Sequence, residues 1–503
     1  MLGCPSLWTH IPCHNPIQLE SLCWRSESLP ATLYLANQRS RNSVLMRIEA
    51  LSQCQPRIRH LRILDISLLP QYAIHSFPQL ESVVIQFPQR DGGHIGLSGE
   101  MRWISDERRA PLPLKALALR NIPLMAWPSF NFPSLTHLYL QFHDAPEVVN
   151  RVEMLNYPLC YIIVLLESTP RLEFLHVQNL VRETDCQLPE TWQTNPLLLP
   201  HLRLVMFYHC NMSVVSLLPH LRTGPNILIR LDQTYTKLST NLPLMGHPVM
   251  TNVTRLYIET FNSYYSISIE GESSGFWLQG MAFLESDAPL PGSPDLWLDK
   301  LPRTVPFGSI TSFTFECTTG VGSPALIQFL KNLTHLVELD FRITSASQEA
   351  AEDGGDDDVI DCVTDLLRAL AIVSPQESVL CPELQSLAIA SGIRGADDSI
   401  GDEAYGTYQM ELSAALIPRA ATPLRRVLVY ATCWVACQTL SEMDPPCTNF
   451  NPPIPPSIDV ALYRYTYIPP QEFQVAEMWH VDGVEKYWEL DRDCRPWYST
   501  LRP

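Results

Sequence analysis

The octapeptide PSLTHLYL, residues 133–140, sets Leu135, Leu138 and Leu140 in the order apolar, two variable, apolar, variable, apolar, behind a proline. Alternation over its last four residues puts Leu138 and Leu140 on one face of a strand and His137 and Tyr139 on the other. A proline ahead of such a strand suits a turn, where its missing N–H removes no ladder hydrogen bond. One strand of this kind cannot cover its own apolar face. The same phrase, however, returns in RIRHLRI (57–63), PQLESVVI (78–85), PLKALAL (113–119), PRLEFLHV (170–177), PHLRLVMF (200–207), TNVTRLYI (251–258), GSITSFTF (308–315), THLVELDF (334–341), PELQSLAI (382–389) and TPLRRVLV (422–429). The central apolar residues follow one another at 21 to 57 positions. Leu138, Leu175 and Leu339 are therefore expected to be almost fully buried.

Between the phrases lie stretches with helical spacing: 43–54, 147–169, 324–333, 359–373 and 410–420. Strand, return helix and strand again build a parallel sheet with right-handed crossovers. The phrase reads as the strand of a leucine-rich repeat, with longer and less regular returns than the usual 20–29 residues. The expected fold is α/β, an irregular leucine-rich-repeat solenoid with a curved parallel sheet, each unit completed by its neighbours. The expected organisation is a connector over 1–42, the solenoid over 43–443, a proline-rich linker over 444–457 (DPPCTNFNPPIPPS) and a C-terminal extension over 458–503. The tryptophans Trp479, Trp488 and Trp497 imply that the extension packs against something.

The 503 residues are 46% hydrophobic and 17% charged, a globular composition with 43 prolines against 21 glycines. Residues 1–250 carry 20 Lys/Arg against 18 Asp/Glu, and residues 251–503 carry 15 against 35. So acidic a chain, with no block of Lys/Arg, repels phosphate backbones and anionic lipid; neither nucleic acid nor membrane is expected as a partner. The longest apolar run, LCYIIVLL at 159–166, is far short of the roughly 20 residues that span a bilayer. The 14 cysteines contain no C-x-x-C pair and, without a signal-like start, read as reduced thiols of the cytoplasm or nucleus.

Catalytic and metal patterns are weak. GESSG (271–275) fits the G-x-S-x-G elbow with Ser273 as nucleophile, but SISIE before it alternates like a half-exposed strand, and a hydrolase is a distant third reading. Asp353, Asp356, Asp357, Asp358 and Asp361 lack calcium-loop spacing and read as a solvated, dipole-favouring start to the next helix. Cys433 and Cys437 have no zinc-like companions. No cofactor is expected, and the protein is read as a non-enzyme.

The remaining candidate is the face opposite the buried leucines. On successive strands it presents His137, Tyr139, Phe174, His176, Tyr208, Arg255 and Tyr257, aromatics rimmed by charge, as at many protein-binding hot spots. These residues are expected to be exposed on the concave side and to hold a protein target whose identity the residues do not specify.

The start of the chain adds a resemblance. CPSLWTHIP (4–12), then LCWRSESLPATLYL (22–35) and RIRHLRI, is similar to the fungal F-box proteins with degenerate leucine-rich repeats. The match covers residues 4–66 in order and spacing, and the repeat texture continues to about residue 430. The resemblance implies that 1–42 holds the C-terminal remnant of an F-box, with Leu7, Trp8 and Ile11 packing at the junction. The helices that dock a Skp-type adaptor would precede it, so that adaptor is an expected partner only where an upstream F-box exists. The implied function is the substrate-binding part of a ubiquitin-ligase receptor; the alternative is a free-standing repeat scaffold with no ubiquitin role.

Overall fold

The computed structural model describes residues 10–12, 21, 25, 29–35, 55–63, 77–86, 113–122, 132–142, 158–180, 196–236, 247–250, 252–261, 264–282, 298, 301, 305, 307–317, 323–344, 355–372, 379–393, 398–433, 450, 453–464 and 477–487. The chain divides into two compact units, residues 1–232 with 481–503, and residues 233–480. Both are mixed α/β, with a mostly parallel sheet and few helices.

In the first unit, β1 (His10–Pro12), β2 (Ala31–Leu35), β3 (Ile58–Ile63), β4 (Ser82–Gln86), β5 (Ala116–Ile122), β6 (His137–Phe142) and β7 (Phe174–Gln178) pair in parallel, each with the next. Two short strands, β8 (Leu197–Leu199) and β10 (Leu221–Thr223), make a separate pair. The main sheet continues through β9 (Leu204–Tyr208) to the first half of β11 (Leu228–Thr236). The central phrase residues lie directly opposite one another: Leu61, Val83, Leu117, Leu138, Leu175 and Val205, with Leu33 and Ile229 at the ends. All are buried, Leu138 and Leu175 to 0% and 1% exposure.

The leading proline has a second reason. Leu80, Leu135, Leu172 and Leu202 each donate a backbone hydrogen bond to the residue three back, Phe77, Phe132, Thr169 and Leu199. This places Pro78, Pro133, Pro170 and Pro200 at the second position of a β-turn, which wants the φ that proline already has. Just past β7 and β9, Asn179 and His209 adopt positive φ, and Asn121 does so inside β5, where the register with β6 shifts between Leu119 and Ile122; asparagine tolerates that region better than most residues. Helix α1 (Pro158–Glu167) is the return ahead of β7.

The second unit joins β12 (Val253–Phe261), β15 (Ser312–Cys317), β16 (Glu338–Thr344), β17 (Ser386–Ile393), β18 (Arg426–Cys433) and β19 (Asp459–Arg464) in parallel. Leu256, Phe313, Leu339, Leu387, Val427 and Val460 form its buried row, with Leu339 at 3% exposure. Two antiparallel strands, β13 (Tyr264–Gly271) and β14 (Gly275–Ala282), extend the β12 side. Helices α2 (Ser323–Leu330), α3 (Gly355–Ala371) and α4 (Asp398–Leu416) are the returns; α3 packs on α2, on α4 and on β17. Arg419, 1% exposed, lies beyond α4 and donates to the carbonyls of Leu370 (2.8 Å), Leu380 (2.5 Å) and Cys381 (3.4 Å). It thereby satisfies acceptors left at and beyond the end of α3.

Each of the eleven phrases contains a strand; among the described residues β1 and β2 lie within 1–42, and β19 lies within 458–503 and pairs in parallel with β18. The sequence reading also missed Leu228–Thr236, where the arginine and aspartate at Arg230 and Asp232 interrupt an otherwise apolar run. Residues 266–270, expected to alternate as a half-exposed strand, are buried on both faces. Helix α4 starts twelve residues ahead of the expected span of 410–420.

Candidate recognition face

Because side chains alternate along each strand, a face opposite the leucines is fixed by the same register. In the first unit His60, Ser82, Ala116, His137 and Phe174 form one row, and Arg62, Val84, Ala118, Tyr139, His176, Met206 and Arg230 the next. Neighbours in these rows touch. The His137 and Phe174 rings are 4.4 Å apart, Tyr139 and His176 4.7 Å, and Nδ1 of His60 is 2.7 Å from the Ser82 hydroxyl.

The sequence brought these aromatics correctly to one face, but the expectation that they stand exposed is overturned. His137, Tyr139, Phe174, His176 and Tyr208 are all buried. For His137 and Tyr139 one cause is the tail, which returns over these two residues at Val481–Tyr487. Ala116 and Ala118 are small, and with Val84 and Tyr139 they make a socket that holds Tyr487. The Tyr487 ring meets His137 edge-on at 4.8 Å, and Nε2 of His137 lies 2.8 Å from the carbonyl oxygen of Gly483. Tyr139 donates to Oε1 of Gln178 at 2.5 Å, and the Arg120 guanidinium lies 5.6 Å over the Tyr139 ring. Burial first, then the charges of Arg230 and Arg120, lowers the His176 pKa to about 3, so this ring is neutral at ordinary pH. Burial likewise lowers that of His137.

In the second unit the equivalent face is half-exposed. Its rows run Arg255, Ser312, Glu338, Ser386, Arg426, Asp459, and Tyr257, Thr314, Asp340, Ala388, Leu428, Ala461. Glu338, Arg426 and Asp459 are exposed, and Tyr257 is half-buried. Arg342 clasps the Asp340 carboxylate through Nε and Nη2, both at 3.2 Å, and the rings of Tyr430 and Tyr463 stack at 4.8 Å. Glu259 and Glu316 stand opposite each other; burial, then the Glu316 charge, pushes the Glu259 carboxyl up to about 7. Arg255, half-exposed, pairs with the buried Glu270 at 3.3 Å, and Trp479 donates to the same carboxylate at 2.7 Å while meeting Trp277 edge-on.

The other sequence candidates fall as follows. Leu7 and Trp8 lie outside the described residues, as do Asp353 and Cys437, and Ile11 is the middle of β1, opposite Leu33. Ser273 sits exposed in the turn between the antiparallel β13 and β14, not between a strand and a helix as a nucleophile elbow requires. Asp356, Asp357 and Asp358 open helix α3. Among the described residues no three His, Cys, Asp or Glu side chains stand together as a metal site would need, and no helix is long and apolar enough to cross a membrane. No family model and no curated protein sequence matches the chain.

Proposed function

We propose that this chain is a non-enzymatic recognition module that holds a protein target on the ladder face of its second unit. The observation that carries the reading is the half-exposed rows of β12 and β15–β19, where charge of both signs alternates with tyrosine and no tail segment among the described residues covers Tyr430 and Tyr463. A rigid parallel sheet presenting tyrosine and arginine in fixed register suits a hot-spot surface, because little side-chain freedom remains to be lost on binding. The resemblance of residues 4–66 to F-box proteins gives the target its class, a substrate presented for ubiquitin transfer in the cytoplasm or nucleus. Ser273, in an exposed hairpin turn, supports no hydrolase.

The test is recovery of partners from cell extract by the intact chain and by Arg426→Glu and Tyr463→Ala, followed by probing for a Skp-type adaptor. Loss of the same captured proteins in both variants, with melting within a few degrees of the parent, is expected. Capture indifferent to both substitutions overturns the assignment of the face.

A further inference from the structure

His176 poses a physical problem. Its side chain is 6% exposed, and among the described residues neither ring nitrogen has a hydrogen-bond partner. A neutral imidazole always carries one N–H and one lone pair, and burying either without a partner forfeits the hydrogen bond that water would have made with it. Nε of Arg120 is likewise buried and unbonded among the described residues.

The surroundings are donor-rich and positive. The Tyr139 ring lies tilted beside the imidazole and has the Arg120 guanidinium above it. Two strands over in the same row as His176 and Met206 stands Arg230, 8% exposed, whose guanidinium is paired to Asp232 at 2.5 Å. Among the described residues, the charges acting on this histidine are those of Arg230 and Arg120, both positive, and neither ring nitrogen has a partner.

We propose that Arg120, His176 and Arg230 form a binding site for a small oxyanion of the phosphate or carboxylate class. The anion would accept from the His176 ring N–H and from Arg120, offset the Arg120 charge, and leave the Arg230–Asp232 pair intact. Arginine suits this task because its planar fork meets oxyanion geometry and it stays charged when buried. The depth of His176 favours a free ion over a side chain carried in by a macromolecule.

The experiment is calorimetric titration of the full chain with sodium phosphate and, separately, sodium acetate, against sodium chloride at matched ionic strength. Ring-nitrogen NMR of His176 is followed in parallel. The groups set against that ring are Tyr139 on β6, its centroid 4.7 Å away, and Arg120 on β5 and Arg230 on β11, whose charges act on it. Saturable binding of phosphate or acetate, an upward move of the His176 titration from about 3, and about tenfold weaker binding in Arg120→Met support the site. Lys115→Met, which alters an exposed lysine just ahead of the same strand, is expected to bind like the parent. Heat and His176 shifts unchanged from the chloride control, or equal responses in the parent and Arg120→Met, overturn it; water alone then occupies these donors. Should Arg120→Met not fold, His176→Phe, which keeps a ring and removes both nitrogens, carries the same test.

Discussion

Nε2 of His137 and the carbonyl oxygen of Gly483 stand 2.8 Å apart although 346 residues separate them in sequence. The carbonyl can only accept, so the proton lies on Nε2, and the bond fixes the tail over the first unit's sheet. Tyr487, four residues on, completes the attachment in its alanine-floored socket. Tyr487→Ala is expected to destabilise the first unit by about 3 kcal/mol, through lost burial and the cavity left behind. Ala118→Leu should act in the same direction by filling the socket. Denaturant unfolding measures both; a Tyr487→Ala midpoint within error of the parent would show the tail to be energetically idle.

Arg419 offers a second measurement. Its three carbonyl acceptors come from the end of α3 and the residues beyond it, and no neighbouring carboxylate is among the groups it bonds. Arg419→Met keeps much of the apolar stem but leaves those acceptors without their donor, at about 1–3 kcal/mol for each group that stays dry. The expected loss is at least about 2 kcal/mol, with faster amide exchange at the end of α3. Unchanged exchange there would mean that water replaces the guanidinium without cost.

The strands were legible in the sequence because each phrase carries the same buried triplet, and period two leaves no second way to bury Leu138 with Leu140. The register was legible too. The strand at Leu228 was not, since Arg230 and Asp232 are ladder-face residues that pair with each other, and a charge in mid-strand looks like a break. The face was read correctly and its exposure wrongly. Nothing local to Ala116 or Ala118 says that a tyrosine some 370 positions later fills the space above them; small residues in a strand read as weak packing until the partner is seen.

Acid-dependent stability should report on the second unit's carboxylates. Burial, then the Glu316 charge, raises Glu259 from the usual 4.5 to about 7, while a hydrogen bond from Tyr257 pulls the other way. Glu316 is raised by burial as well, with Arg342 opposing and Asp340 reinforcing. Between about pH 4.5 and 7 the folded chain therefore holds a proton that the unfolded chain has released, and stability falls as pH rises through that window. The loss is on the order of 3 kcal/mol across the window and levels off above it. Glu259→Gln, neutral throughout, should flatten this part of the profile; a parent profile already flat from pH 4.5 to 7 would contradict the shift.

The two faces make opposite demands on their aromatic residues. Tyr139 and Phe174 are buried under neighbours on every side that the structure describes, and Tyr139 in addition gives its hydroxyl to Gln178. Tyr139→Ala and Phe174→Ala should each cost about 3 kcal/mol or more, in the range of Leu138→Ala and Leu175→Ala, because they too leave cavities. Tyr430 and Tyr463 stack on each other at a half-exposed surface, so truncating either loses one ring contact of about 1 kcal/mol and opens no cavity. Thermal denaturation of the four tyrosine and phenylalanine variants, run beside partner capture, separates the roles. The first pair should melt early, and the second should melt within a few degrees of the parent while losing partners. If Tyr139→Ala melts with the parent, the first unit's ladder face is open in solution, and the tail cannot be its permanent cover.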